Sequence, residues 1–162
     1  MIRRILNHFS VYITPFLLAS LGMAANIKPD KVGPKDRCPV CGMFVARYLD
    51  FAAQIKFEDG QVFHFDGARD MFTFYLDIPR YAPGRQMSDV TYIFVTNYYE
   101  LNLIDGKKAL YVAGSDVYGP MGHELIPFAH RPEAEDFLKD HEGKHLFRFQ
   151  DVTPAALSKL ER

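Results

Sequence analysis

Apolar and polar residues alternate over residues 53–58, the period-two pattern of a half-buried strand. Asp59-Gly60 follows and favours a tight hairpin turn, so residues 61–65 are predicted as the returning strand. Asp66 is placed to cap a helix in which Met71, Phe74 and Tyr75 share one face. That helix is expected to end before Pro79. After a Pro/Gly loop, residues 90–95 form a β-branched and aromatic run, read as a buried strand.

Much of this order recurs in the second half. Residues 101–104 lead into Asp105-Gly106, predicted as another hairpin turn with residues 109–113 as its return strand. Residues 125–128 add a short strand. Pro132 suits the first position of a helix and Gly143 its end, with Ala134, Phe137, Leu138 and His141 as the apolar stripe between them. Residues 145–150 read as a strand, and Thr153-Pro154 opens a terminal helix. Hairpin, helix and strand thus occur twice, which predicts an α+β fold with helices packed on antiparallel sheet.

Residues 1–25 stand apart. Arg3 and Arg4 precede a mostly apolar run with Pro15 inside it and small residues at its end, the make-up of a cleaved secretory signal. This predicts export to the periplasm. No Cys lies in or just after that run, so a lipid anchor has no attachment point there and membrane association stays open. Residues 26–37 read as an amino-terminal arm, residues 38–98 as a first half, and residues 99–162 as a second half ending in the terminal helix.

Composition narrows the function. The chain has 162 residues, 48% of them apolar, including 14 Phe and 9 Tyr, enough for a sizeable core. A net charge of −1 argues against a nucleic-acid binder built on many phosphate contacts. No phosphate loop, nucleophile elbow or zinc-protease motif is present, and the helix-start acids Glu133, Glu135 and Asp136 show no acid/base pairing.

The sharpest chemical signal is Cys38-Pro39-Val40-Cys41-Gly42-Met43. Two thiols three positions apart can turn toward one ion or join as a disulfide, and Gly42 permits the tight backbone that follows. There are only 2 Cys, so a four-thiolate zinc or iron–sulfur site within the chain is excluded. Gly42 stands where covalent haem would need His. A disulfide, a thiol-redox role and a metal site all remain open at this level.

The second signal is Met121 and His123, set among Gly119, Pro120 and Gly122 rather than on an apolar stripe. Thiolate, thioether and imidazole form a soft donor set that suits Cu(I) and suits zinc, calcium or magnesium poorly. Cu(I) accepts few ligands, which leaves a position for a receiving protein's donor. His64, between Phe63 and Phe65, reads as a surface or hydrogen-bonded residue. His141 and His145 sit near a helix end, where a cation complements the dipole.

Three stretches together resemble the NosL family, the accessory copper proteins of bacterial nitrous oxide reductase. They are Cys38-Pro-Val-Cys-Gly-Met-Phe-Val45, the Phe65-Asp66 step before a helix, and Gly114-Ser115 with Gly119-Pro-Met-Gly-His-Glu124. The similarity runs over residues 36–152. It implies two ββαβ halves of the organomercurial-lyase type and no enzymatic turnover. It also implies an exported Cu(I) metallochaperone serving nitrous oxide reductase or its maturation machinery. The ligands it implies are Cys38, Cys41, Met121 and His123, with Met43 a lesser candidate. The competing expectations are an exported thiol oxidoreductase and a domain stabilised by a disulfide or Zn(II).

Overall fold

The structure, a computed structural model, describes residues 28–160. The predicted signal segment lies outside the described residues. The chain forms strands β1 (Ala53–Phe57), β2 (Val62–Phe65), β3 (Val90–Thr96), β4 (Leu103–Asp105), β5 (Leu110–Gly119), β6 (Gly122–Phe128) and β7 (His145–Arg148). Its helices are α1 (Ala68–Leu76), α2 (Ile78–Tyr81), α3 (Arg131–Asp140) and α4 (Pro154–Leu160). A four-stranded sheet has the order β2-β1-β3-β4, and a three-stranded sheet the order β6-β5-β7. All neighbouring strands are antiparallel.

Each sheet carries the same path: a central strand, a hairpin to one edge, a helix, and a return to the other side. In the first sheet this is β1-β2-α1-β3, and in the second β5-β6-α3-β7. The α+β class and the doubled hairpin-helix-strand order therefore hold. The second hairpin, however, turns at Gly119–Gly122, where Tyr118 faces His123 and Gly119 faces Gly122. Asp105-Gly106 is not a hairpin turn. Residues β4 contributes pair with β3, Val95 opposite Ile104, so β4 completes the first sheet. Asp105-Gly106 then carries the chain across to β5 in the second.

The alternating pattern of β1 also needed a neighbour to be satisfied. Gln54, on the nominally polar face, is buried. Its side chain accepts the Asp30 N–H at 3.0 Å and donates to the Asp30 carbonyl at 2.6 Å, because the amino-terminal arm lies over that face. A buried amide is tolerated only when so paired. Lys56 holds the same arm through Asp30 at 2.8 Å.

α1 joins the two sheets. Phe74 packs edge-on against Phe57 and Phe65 of the first sheet, with centroids 6.5 and 5.1 Å away. Phe72, two residues earlier, meets Tyr111 of β5 and Phe149, both at 4.9 Å. Met71, Phe72 and Phe74 are all buried, so α1 has more than the one apolar face expected for it. The main core accordingly includes Tyr111, Ala113 and Leu125 of the second half. A smaller cluster under α3 contains Val112, Ile126, Phe128, Ala134 and Phe137. Tyr98 closes it by packing on Phe137 at 4.9 Å. α1 stops at Leu76, and Pro79 sits near the start of α2, where a missing N–H removes no helical bond.

Candidate metal centre

The Cys-x-x-Cys stretch is a small knuckle. Arg37 and Phe44 form an isolated antiparallel bridge at its base. Cys38 N–H donates to the Met43 carbonyl at 2.9 Å, and Gly42 N–H donates to the Cys38 carbonyl at 2.8 Å. Gly42 closes the loop at φ +80°, a left-handed angle natural to glycine. The Arg37 side chain binds the Gly42 carbonyl at 2.8 Å and lies 3.7 Å over the Phe44 ring.

This loop delivers both thiols to the start of α1. Cys38 Sγ donates to Asp70 Oδ2 at 3.2 Å, and Cys41 Sγ approaches the two Asp66 carboxylate oxygens at 3.3 and 3.4 Å. One donor atom from each of Cys38, Cys41, Asp66 and Asp70 lies within 4.8 Å of every other. Cys38, Asp66 and Asp70 are buried and Cys41 is half-buried. Both cysteines are free thiols.

Burial dominates the electrostatics. It pushes the Cys38 thiol far above its ordinary range, and the adjacent carboxylates push the same way. It pushes Cys41 up to about 12, again with help from Asp70 and Asp66. Asp70 is raised by burial, against the opposing pull of the thiol hydrogen bonds. The metal-free site is therefore a set of protonated thiols resting against carboxylates.

The sequence alone marks neither Asp66 nor Asp70 as a metal ligand. The sequence pattern predicts Asp66 as the cap of α1, but Gly67 occupies the N-cap and makes no side-chain cap. Asp66 faces Cys41 instead. The one available signal was the Asp-x-x-x-Asp spacing itself, which puts Asp70 one helical turn beyond Asp66.

Met121 and His123 lie on the β5–β6 hairpin, outside that group of four. Met121 is at the turn and 41% exposed. His123 packs its ring against Tyr118 at 4.8 Å and borders a cavity of about 350 Å³ with His145 and Lys144. The hairpin is nevertheless fastened to the same helix start. Arg69 Nη1 donates to the carbonyls of Met121 and His123 at 3.3 and 3.2 Å. Arg69 falls between Asp66 and Asp70 in the chain, so the residues that meet the thiols and the residue that holds the hairpin belong to one short stretch of backbone. Met43 is half-buried beside Gly42.

His64 and His141 have local roles. His64 Nε2 is 3.4 Å from Asp36, and burial lowers its pKa against the pull of Asp36 and Asp30. His141 caps the end of α3, contacts Asp116 at 2.9 Å and stacks on Phe137 at 4.3 Å.

The fold has solved counterparts. The copper chaperone NosL from Shewanella denitrificans is 26% identical, with a TM-score of 0.66, covering 79% of this chain and 97% of that one. The apo-NosL protein from Achromobacter cycloclastes is 27% identical, with a TM-score of 0.46, covering 65% of this chain and 87% of that one. A comparison with curated protein sequences gives no match. The NosL family profile matches residues 29–157, from the arm across the knuckle, both sheets and the hairpin into α4, and the chain belongs to the NosL family.

Proposed function

We propose that this protein is a copper-binding chaperone that carries Cu(I) as cargo in the periplasm and delivers it for maturation of nitrous oxide reductase. The observation that carries this reading is the convergence of both thiols on the start of α1, to which Arg69 also ties the Met121–His123 hairpin. A family relative of matching fold is a copper chaperone. Export rests on the signal-like composition of residues 1–25.

The chemistry is ligand exchange. Cu(I) meets the half-buried Cys41 thiol first, and each Cu–thiolate bond formed releases one proton, whereas a thioether bond releases none. Asp66 and Asp70 stand at hydrogen-bond distance to accept those protons and pass them to solvent. Met121 and His123 supply thioether and imidazole from the hairpin, where exposure of Met121 lets a client's donor compete. No substrate bond is made or broken.

A thiol-exchange catalyst needs a depressed thiol pKa, and both thiols here are raised. That weighs against the oxidoreductase reading. A second reading, Zn(II) binding, draws support from the Cys38, Cys41, Asp66, Asp70 cluster, since two sulfurs and two carboxylates suit a tetrahedral dication.

Competition with a colorimetric Cu(I) chelator tests the proposal. The reduced protein is expected to take one Cu(I) tightly and to prefer it over Zn(II). Binding unchanged in a Met121→Ala/His123→Ala variant would remove the hairpin from the site. Preferential retention of Zn(II) under reducing conditions would favour the second reading.

A further inference from the structure

The start of α1 lacks a cap of its own, and the second sheet provides one. Gly67 is the N-cap residue and has no side chain to offer. Glu124, from β6, fills that role: its Oε1 accepts the Arg69 N–H at 2.6 Å and the Leu125 N–H at 2.8 Å. Arg69 is the second residue of α1, the position whose N–H a capping side chain ordinarily serves. The carboxylate is 4% exposed at the residue level and sits between two glycines. A Cβ at Gly67 would lie 2.1 Å from Glu124 Oε2, and one at Gly119 would lie 2.9 Å from it. Only hydrogen at both positions leaves room. The Arg69 guanidinium then reaches back to the carbonyls on either side of Gly122. The resulting closed circuit runs from helix backbone to Glu124, along β6 to His123 and Met121, and back to the helix through Arg69.

We infer that Glu124, acting with Arg69, is a positioning residue for the metal site, fixing the Met121–His123 turn against the helix start that faces Cys38 and Cys41. The inference rests on the proposed donor set. Residues that orient metal ligands typically alter metal affinity by about 10–100-fold when removed. Glu124 spends its carboxylate on the two N–H groups; it sets where the donors stand.

A double-mutant cycle on the reduced protein, read by Cu(I) competition, tests this. Glu124→Ala is expected to weaken binding by about tenfold or more, and the Met121→Ala/His123→Ala change is expected to have little further effect in that background. Glu124→Gln keeps the oxygen that accepts both N–H groups and is expected to restore near-native affinity. A general loss of stability would not produce that non-additivity with selective rescue. If the Met121/His123 change weakens binding equally with and without Glu124, the positioning role is overturned while the donor set stands. If that change has no effect even in the native background, the donor set fails and the inference falls with it. Equal losses in Glu124→Ala and Glu124→Gln would overturn the capping geometry. Should Glu124→Ala not fold, Arg69→Met takes its place in the cycle. It leaves the backbone cap intact and removes only the ties to the hairpin. Native affinity in Arg69→Met would then overturn the proposal.

Discussion

Cys38 donates its thiol hydrogen to Asp70 across 3.2 Å inside the protein, with only 1% of Cys38 and 5% of Asp70 exposed. A thiolate and a carboxylate could not share that space without a cation, because two uncompensated buried charges are expensive. The metal-free site thus holds a proton where a soft cation would be stabilised. Loading is an exchange of protons for metal, and the protein's preference for protons sets its pH dependence.

Cu(I) affinity should therefore rise with pH. Burial raises both thiols, Cys41 to about 12. Each thiolate formed on binding releases about one proton, so log K should increase by about one per pH unit for each cysteine sulfur bound. Chelator competition at several pH values between neutral and mildly alkaline conditions measures the slope. A flat profile would mean that neither sulfur binds as thiolate.

The same shifts govern the metal-free protein. A group whose pKa is raised on folding contributes its full stability below the unfolded value and loses it as pH climbs toward the folded value. For Cys41 the window runs from 9.0 to about 12. Denaturant midpoints of the reduced, metal-free protein should fall through that range. A Cys38→Ser/Cys41→Ser variant should lose less over the same interval.

Asp66 and Asp70 should restrain thiol reactivity. Replacing both with Asn removes two negative charges beside the sulfurs and increases the thiolate fraction. Alkylation by iodoacetamide at mildly alkaline pH should accelerate several-fold, and more at half-buried Cys41 than at Cys38. An unchanged rate would show that burial alone sets the thiol pKa.

Local patterns in the sequence carried the knuckle, because spacing, Gly42 and two thiols are all close in the chain. The repeated hairpin-helix-strand order was equally visible. What the sequence concealed depends on contacts between distant segments. Asp66 resembles a helix cap until Glu124, from β6, takes the capping position. Asp70 resembles an ordinary first-turn acid until Cys38 arrives from 32 residues away. Asp105-Gly106 carries a strong hairpin signature, yet β4 finds its partner in β3 rather than β5. In each case tertiary pairing overrode a sound local preference.

Phe72→Ala should destabilise both sheets at once. Its ring lies on Tyr111 of β5 and on Phe149, while α1 packs on the first sheet through Phe74. Truncating a buried Phe costs about 3–5 kcal/mol. Because the main core spans both halves, unfolding should stay a single transition moved to lower denaturant. Loss of the second sheet alone, with the first retained, would show instead that the halves are separately stable.

Gly42 offers a separate test of how the knuckle is held. Its φ is +80°, and a Cβ there would meet nothing within 4 Å. Any penalty for a side chain is therefore conformational, not steric. Gly42→Ala should cost about 1–2 kcal/mol from the left-handed backbone alone. Gly42→Asn should cost less, since Asn enters that region more readily than other residues. Gly67 supplies the contrast: its φ of −163° suits any residue, yet a Cβ there strikes Glu124 Oε2. Asn at position 67 should therefore be no better tolerated than Ala. Denaturant unfolding of the four variants reads the difference directly. If Asn and Ala proved equivalent at position 42, the left-handed turn would not be what closes the loop around the two thiols.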